Sequence, residues 1–199
     1  MEDAELRTRY NIGKDSRDWS VARAKADIGN AVDTAKITPI EYRPFDRKYL
    51  YYTGKTTGIV ARPDSGYAAF CRRKIFRFAA GCKSKKNFGL VIARQCVSDW
   101  RYIFCTENIC DLNLTGTAGR FGAGYVFPLY TYPDQTDLLN TGRTPNLDPK
   151  IVAKIAESIG LEFEPEKSGE PDKFAPIDLL DYIYAVLHCP AYRENTGSF

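Results

Sequence analysis

The hydrophobic period of this chain shifts from mostly strand-like to helical near Pro133, and that shift limits the folds open to it. Before it, apolar residues come in short runs rich in aromatic and β-branched side chains. These runs are ITPIEYRPFDRKYLYYTGK, NFGLVIARQ, RYIFCTE, CDLNLTG and GRFGAGYVFPLYTYPD. Short runs of this composition, punctuated by Pro and Gly, read as strands. After Pro133 the period lengthens. LDPKIVAKIAESIGL (147–161) puts Ile151, Ile155 and Ile159 on one helical face, with Pro149 near its start and Gly160 near its end. APIDLLDYIYAVLHCPAY (175–192) reads as a second helix, stopped by Pro190. A strand-rich middle with a helical end is an α+β arrangement. The expected architecture is a mixed or antiparallel sheet core with a helical lead-in and two C-terminal helices.

Finer expectations follow the same signals. SRDWSVARAKADI (16–28) opens on a Ser/Asp cap and spaces Trp19, Ala22 and Ala26 as a short amphipathic helix, with a loop over 29–36. Two strands flank a turn at Pro44-Phe45-Asp46. Tyr67, Phe70, Lys74 and Arg77 have helical spacing over 66–77. The segments 87–95, 101–107 and 110–116 are expected as strands, and 119–134 as a glycine-rich turn leading into an apolar strand. Residues 134–146 read as polar linker and 164–173 as a charged loop. Three parts result: a helical lead-in (1–36), a sheet-rich core (37–133) and a helical end of the same domain (134–199).

With 44% hydrophobic and 13% aromatic residues, the 199-residue chain can bury a core. No apolar run reaches the ~18 residues of a membrane helix, and the start, Met1-Glu2-Asp3-Ala4-Glu5, lacks the features of a signal peptide. A soluble, cytoplasmic protein without a membrane partner is expected. Six cysteines (71, 82, 96, 105, 110, 189) form no CxxC pair and His188 is the single histidine, so neither a zinc site nor a disulfide framework is expected.

The net charge of +3 conceals a segregation. Residues 43–103 carry 14 basic and 3 acidic side chains, whereas residues 104–199 carry 7 basic and 14 acidic. A basic block of this density fits a polyanion partner. It also fits, less well, a field cancelled when the two halves fold together.

Catalytic chemistry is not visible. There is no Walker loop and no nucleophile–His–acid context. The stretch Gly119 to Gly124 precedes a strand-like run, whereas a dinucleotide loop follows a strand and opens a helix. His188, between Leu187 and Cys189, reads as a satisfied structural histidine. No catalytic residue, no metal ligand and no bound cofactor are expected.

Several ordered blocks carry a resemblance. SRDWSVARAKADI, ITPIEYRPFDRKYLYYTGKTTGIVARP, NFGLVIARQ, SDWRYIFCTENICDLN, RFGAGYVFPLYTYPD, PNLDPKIVAKIAESIGLEF and DLLDYIYAVLHCPAYRE together resemble the C-terminal region of adenine DNA methyltransferases. The likeness is to the fused restriction–modification polypeptides of Type ISP and Type IIG, and it spans nearly the whole chain. In that family the region is the target recognition domain. The family's Asn/Asp-Pro-Pro-aromatic motif and its S-adenosylmethionine loop do not occur here, and no Pro-Pro pair exists in the sequence. The resemblance therefore implies a non-catalytic part of a site-specific adenine methyltransferase/restriction enzyme. S-adenosylmethionine belongs to the methyltransferase domain outside this chain. The partners implied are double-stranded DNA together with the methyltransferase, and nuclease or helicase domains, of the parent polypeptide. The block containing Tyr42, Pro44, Phe45 and Asp46 is expected to build a turn and core.

Recognition of duplex DNA divides into phosphate neutralisation and base reading. The candidates for the first are Lys55, Arg62, Lys83, Lys85 and Lys86. The candidates for the second are Arg72, Arg73, Lys74, Arg77, Arg94 and Gln95. Each is also readable as a solvated surface residue. Two alternatives stay open. One is a protein-docking module that uses the apolar face of helix 175–189. The other is an RNA- or single-strand-binding domain with Tyr49, Tyr51 and Tyr52 as a stacking platform, or with those tyrosines simply packed across strands.

Overall fold

The structure is a computed structural model that describes residues 2–15, 19–53, 87–93, 102–111, 113–116, 124–132 and 142–196. At its centre is strand β3, Gly89–Ala93, whose GLVIA run has no polar residue. It lies in the middle of an antiparallel sheet, between β4 (Phe104–Thr106) and β6 (Gly124–Pro128). Strand period two sends alternate side chains to opposite faces. Val91, fully buried, packs with Cys110, Leu114 and Val126 on one face. Leu90 goes to the other, against Leu129, Tyr130 and Leu180. The continuous apolar run is thus used on both sides, as a central strand covered on both faces requires. Gly89 is obligatory here, because a Cβ on it would stand 2.5 Å from Val126 Cγ1.

Buried Asn87 extends this centre. Its side-chain amide donates to the Tyr130 carbonyl at 2.8 Å and its side-chain oxygen accepts from the Tyr130 N–H at 3.1 Å. One side chain thereby satisfies both backbone groups of a buried residue that would otherwise be costly to leave unpaired. Tyr130 begins β7 (Tyr130–Thr131), which pairs with β8 (Thr144–Pro145) inside the stretch expected as linker.

The second sheet is mixed. β1 (Ile37–Arg43) pairs antiparallel with β2 (Asp46–Tyr51) and parallel with β5 (Ile109–Cys110). The expected strand over 110–116 is cut short at Cys110. Asp111 turns the chain by accepting the Asn113 N–H at 2.8 Å, an Asx turn, and Leu114 and Thr115 are then buried beyond it.

Five helices are described. α1 (Asp3–Tyr10) buries no side chain. α2 (Val21–Ile28) is capped by Ser20, whose hydroxyl accepts from the Arg23 N–H. The lead-in helix therefore starts later than the expected residue 16, and Trp19 lies ahead of it. Asp15 ties the two together, taking Arg7 at 2.6 Å and the Val21 N–H at 3.0 Å. A 3₁₀ turn at Thr34–Lys36 occupies part of the expected loop.

α3 (Pro149–Ile159) has the anticipated ends, with Pro149 opening the first turn and Gly160 closing the helix at φ 69°; Asp148 adds a cap by accepting from the Lys150 N–H. Its buried residue is Val152, while Ile151 and Ile159 are more than half exposed. The isoleucine face is therefore not the face that anchors the helix. α4 (Pro176–His188) packs on the Leu90 face of the sheet through Ile177 and Leu180. Pro190 ends that run but also opens α5 (Pro190–Thr196), as expected of a proline in a first helical turn. Two short parallel strands, β9 (Glu162–Phe163) and β10 (Lys173–Phe174), bracket the charged loop.

His188 is held at both ring nitrogens, Nε2 against the Ile103 carbonyl at 3.2 Å and Nδ1 against the Arg193 guanidinium at 3.1 Å. A guanidinium can only donate, so Nδ1 accepts and Nε2 carries the proton. The ring joins α4 and α5 to the chain entering β4.

Candidate nucleic-acid interface

The sequence candidates flank β3 along the chain. Lys55, Arg62, Arg72, Arg73, Lys74, Arg77, Lys83, Lys85 and Lys86 lie between Thr53 and Asn87, and Arg94 and Gln95 lie between Ala93 and Tyr102. All eleven fall outside the described residues, as does the expected helix over 66–77. Of the 14 basic residues in the positive segment, Arg43, Arg47 and Lys48 are described. All three are on the β1–β2 hairpin.

The hairpin departs from the usual rules. Its two-residue turn, Pro44-Phe45, joins Arg43 directly to Asp46. Proline fixes the first central φ near −65°, so the mirror-image turns favoured in hairpins are unavailable. Phe45 then takes φ 64°, the left-handed region normally left to Gly or Asn. A bulge at Tyr42, between the Glu41 and Arg43 pairings, accompanies this turn. Phe45 is 102% exposed. Tyr42 and Tyr49 are exposed too. The expectation that Tyr42, Pro44, Phe45 and Asp46 build a turn and core holds for the turn only. Among the described residues none buries the Phe45 ring, which faces solvent.

Each cation of the hairpin has a carboxylate. Arg43 stacks over the Tyr42 ring at 4.2 Å and bonds Asp111 at 2.8 Å. Arg47 pairs with Glu41 at 2.9 Å, and Lys48 with Asp46 at 3.5 Å. Glu41 also accepts from the Asn108 side chain at 2.7 Å. The Lys48–Asp46 pair is exposed and worth about 0–1 kcal/mol, while the Glu41 and Asp111 carboxylates are 17% and 26% exposed. Among the three tyrosines raised from sequence, Tyr49 and Tyr51 share a strand face opposite Pro39 and Ile37. Tyr51 is tied down by the Asp33 N–H at its hydroxyl and by Lys36 over its ring. Tyr52 lies past the end of β2, its N–H donating to the Lys36 carbonyl.

Phe45, Arg43, Arg47 and Lys48 are absent from the sequence candidates. The available signal was Pro44-Phe45 itself: a proline followed by a bulky residue in a two-residue turn gives that residue no room to face inward.

A second surface is apolar. α3 and α4 enclose a groove of about 590 Å³ lined by Ile151, Ile155, Ile159, Phe174, Leu179 and Tyr182. Asp178 at its rim accepts from the Lys167 ammonium and from the Ala175 N–H. Lys167 first, and then the backbone donor, hold its carboxyl below the usual carboxylate range. Among the described residues no group of three or more His, Cys, Asp or Glu side chains could hold a metal ion. Nor is any described helix long and apolar enough to cross a membrane.

An α+β unit with a cationic, aromatic-tipped hairpin on one side and an open apolar groove elsewhere has the character of a recognition module. The chain belongs to the Type ISP C-terminal specificity domain family, whose model matches residues 1–196. A specificity domain is a recognition domain and not itself a catalyst. Among solved structures, the chain is similar to one described as a cryoEM structure of a DrdV–DNA complex (TM-score 0.56, 20% identity), covering 98% of this chain and 16% of that one. It is also similar to a nuclease-deletion mutant of the Type ISP restriction-modification enzyme LlaGI in complex with a DNA substrate mimic (TM-score 0.43, 22% identity), covering 83% of this chain and 11% of that one. The first shares the fold. This chain spans about a sixth of its length or less in both. No curated protein matches by sequence.

Proposed function

We propose that this domain reads duplex DNA for a restriction–modification polypeptide, and that adenine methylation and cleavage are carried out by other domains of that polypeptide. The observation that carries this reading is the specificity-domain match over residues 1–196. The density of 14 basic against 3 acidic residues over 43–103 supports it physically. In this reading Lys55, Arg62, Lys83, Lys85 and Lys86 neutralise phosphates. Arg72, Arg73, Lys74, Arg77, Arg94 and Gln95 supply the base readers, with arginine bidentate on guanine as the commonest contact. S-adenosylmethionine is then a cofactor of the methyltransferase domain, not of this one.

Gel-shift titration at several salt concentrations tests it. With about five phosphates contacted, log affinity falls against log salt with a slope of about −4 to −5. Replacing Lys83, Lys85 and Lys86 together by Ala flattens that slope by up to about 3. Salt-independent binding, or no duplex binding at low salt, overturns the reading. The groove between α3 and α4 favours a second role for the same domain, docking against another part of the parent polypeptide. That contact would be insensitive to salt, because the groove lining is mostly apolar.

A further inference from the structure

We propose that the β1–β2 hairpin tip is a wedge: Phe45 enters a gap in the base stack of bound duplex DNA while Arg43, Arg47 and Lys48 take the flanking phosphates. The inference deepens the duplex-DNA reading and rests on it.

Phe45 is unfavourable within this chain in two ways. Its ring is wholly in water, and its backbone holds φ 64°. Gly or Asn would satisfy the turn without either disadvantage. Among the described residues none buries the phenyl group, which points to a use with a partner. The surroundings say which kind. Arg43, Arg47 and Lys48 all lie within three residues of Phe45, and their side chains are 41%, 59% and 57% exposed. An aromatic anchor for a protein socket is typically embedded in further apolar surface that excludes water. Here a bare ring stands among three exposed cations, with the rings of Tyr42 and Tyr49 also exposed on the same hairpin and open to stacking. That matches a ligand with stacked π-faces inside and anionic lines on either side, the pattern used by side chains that part base steps. The tip is also narrow: among the described residues β2 is an edge strand of its sheet, and the turn has two residues.

Fluorescence anisotropy of this chain with two labelled duplexes tests the proposal. One duplex is intact and the other has a central abasic site, where the gap is already open and the cost of unstacking is already met. Wild type binds the abasic duplex about 5-fold or more tightly than the intact one. Phe45→Ala reduces that preference to within about 2-fold and leaves the salt slope unchanged, whereas Phe45→Trp keeps it. Thermal melting of each variant confirms that it folds. Equal binding of both duplexes by wild type, or a preference retained in Phe45→Ala, overturns the wedge with duplex binding intact. Phe45 would then belong to a contact with the rest of the parent polypeptide. Absence of salt-dependent binding to either duplex overturns the DNA reading itself, and the wedge with it.

Discussion

Strand β3 and the β1–β2 hairpin are both short β elements rich in apolar residues, yet their side chains meet opposite fates. Val91 and Leu90 of β3 enter two separate cores, and Gly89 is there because nothing larger fits beside Val126. Two and four residues from the hairpin turn, Tyr42 and Tyr49 face solvent, and Phe45 in the turn is bare. In β3, burial explains every residue. In the hairpin tip burial explains none, and the backbone is strained as well. Such concentrated departures from folding logic mark the parts of a protein that a partner completes.

The largest expected effect tests the β3 half of this contrast. Leu180 is 7% exposed and carries α4 onto the Leu90 face of the sheet. Leu180→Ala removes that packing and leaves a cavity, and should cost about 2–5 kcal/mol of stability by urea denaturation. A loss under about 1 kcal/mol would mean that this face is not truly packed, and the contrast with the hairpin would collapse.

The same contrast decides what was legible in the sequence. The apolar run around β3 could be read as a buried strand because burial itself wrote it. The ends of α3, at Pro149 and Gly160, were legible for the same local reason, though its cap Asp148 was not singled out. What escaped was whatever depends on the neighbour across the gap. Ile151, Ile155 and Ile159 gave a clear helical stripe, but periodicity cannot tell a core from an open groove, and Val152 supplies the burial. Pro190 announced a stop without announcing that another helix begins on it. The β7–β8 and β9–β10 pairings are two residues long, too short to carry a period. At the candidate interface, charge density pointed to Lys- and Arg-rich stretches that lie outside the described residues, while Phe45, expected to build a turn and core, is exposed.

A smaller effect sharpens the β3 half by asking how its covering helix is held. Asp178 caps α4 at the Ala175 N–H and pairs with Lys167. Asp178→Ala should cost about 1 kcal/mol at neutral pH. The sign of the pH dependence follows from the lowered carboxyl pKa in the folded state. Asp178 contributes fully above its unfolded pKa, about 3.9, and its contribution is lost as pH falls through the folded value. The gap between wild type and variant should therefore stay constant from neutral pH down to about 5 and close below it. A gap that persists unchanged at pH 2 would show that the carboxylate charge is not what matters.

The smallest effect has the opposite sign and bears directly on the hairpin. Phe45→Gly removes a bulky residue from φ 64°, relieving about 1–2 kcal/mol of left-handed strain. Glycine also loosens the unfolded chain, which costs about 0.5–1 kcal/mol. The ring makes no compensating burial, because it is fully exposed. The balance is a net gain of about 0.5–1 kcal/mol, small but positive. Equilibrium denaturation of wild type, Phe45→Gly and Phe45→Ala separates the terms, since alanine keeps a Cβ at positive φ and should gain little. A loss of stability in Phe45→Gly would show that the ring packs within the domain, and the hairpin would join β3 as ordinary core. A gain would mean the chain keeps a residue that folding alone disfavours, which is what a contact surface for a partner requires.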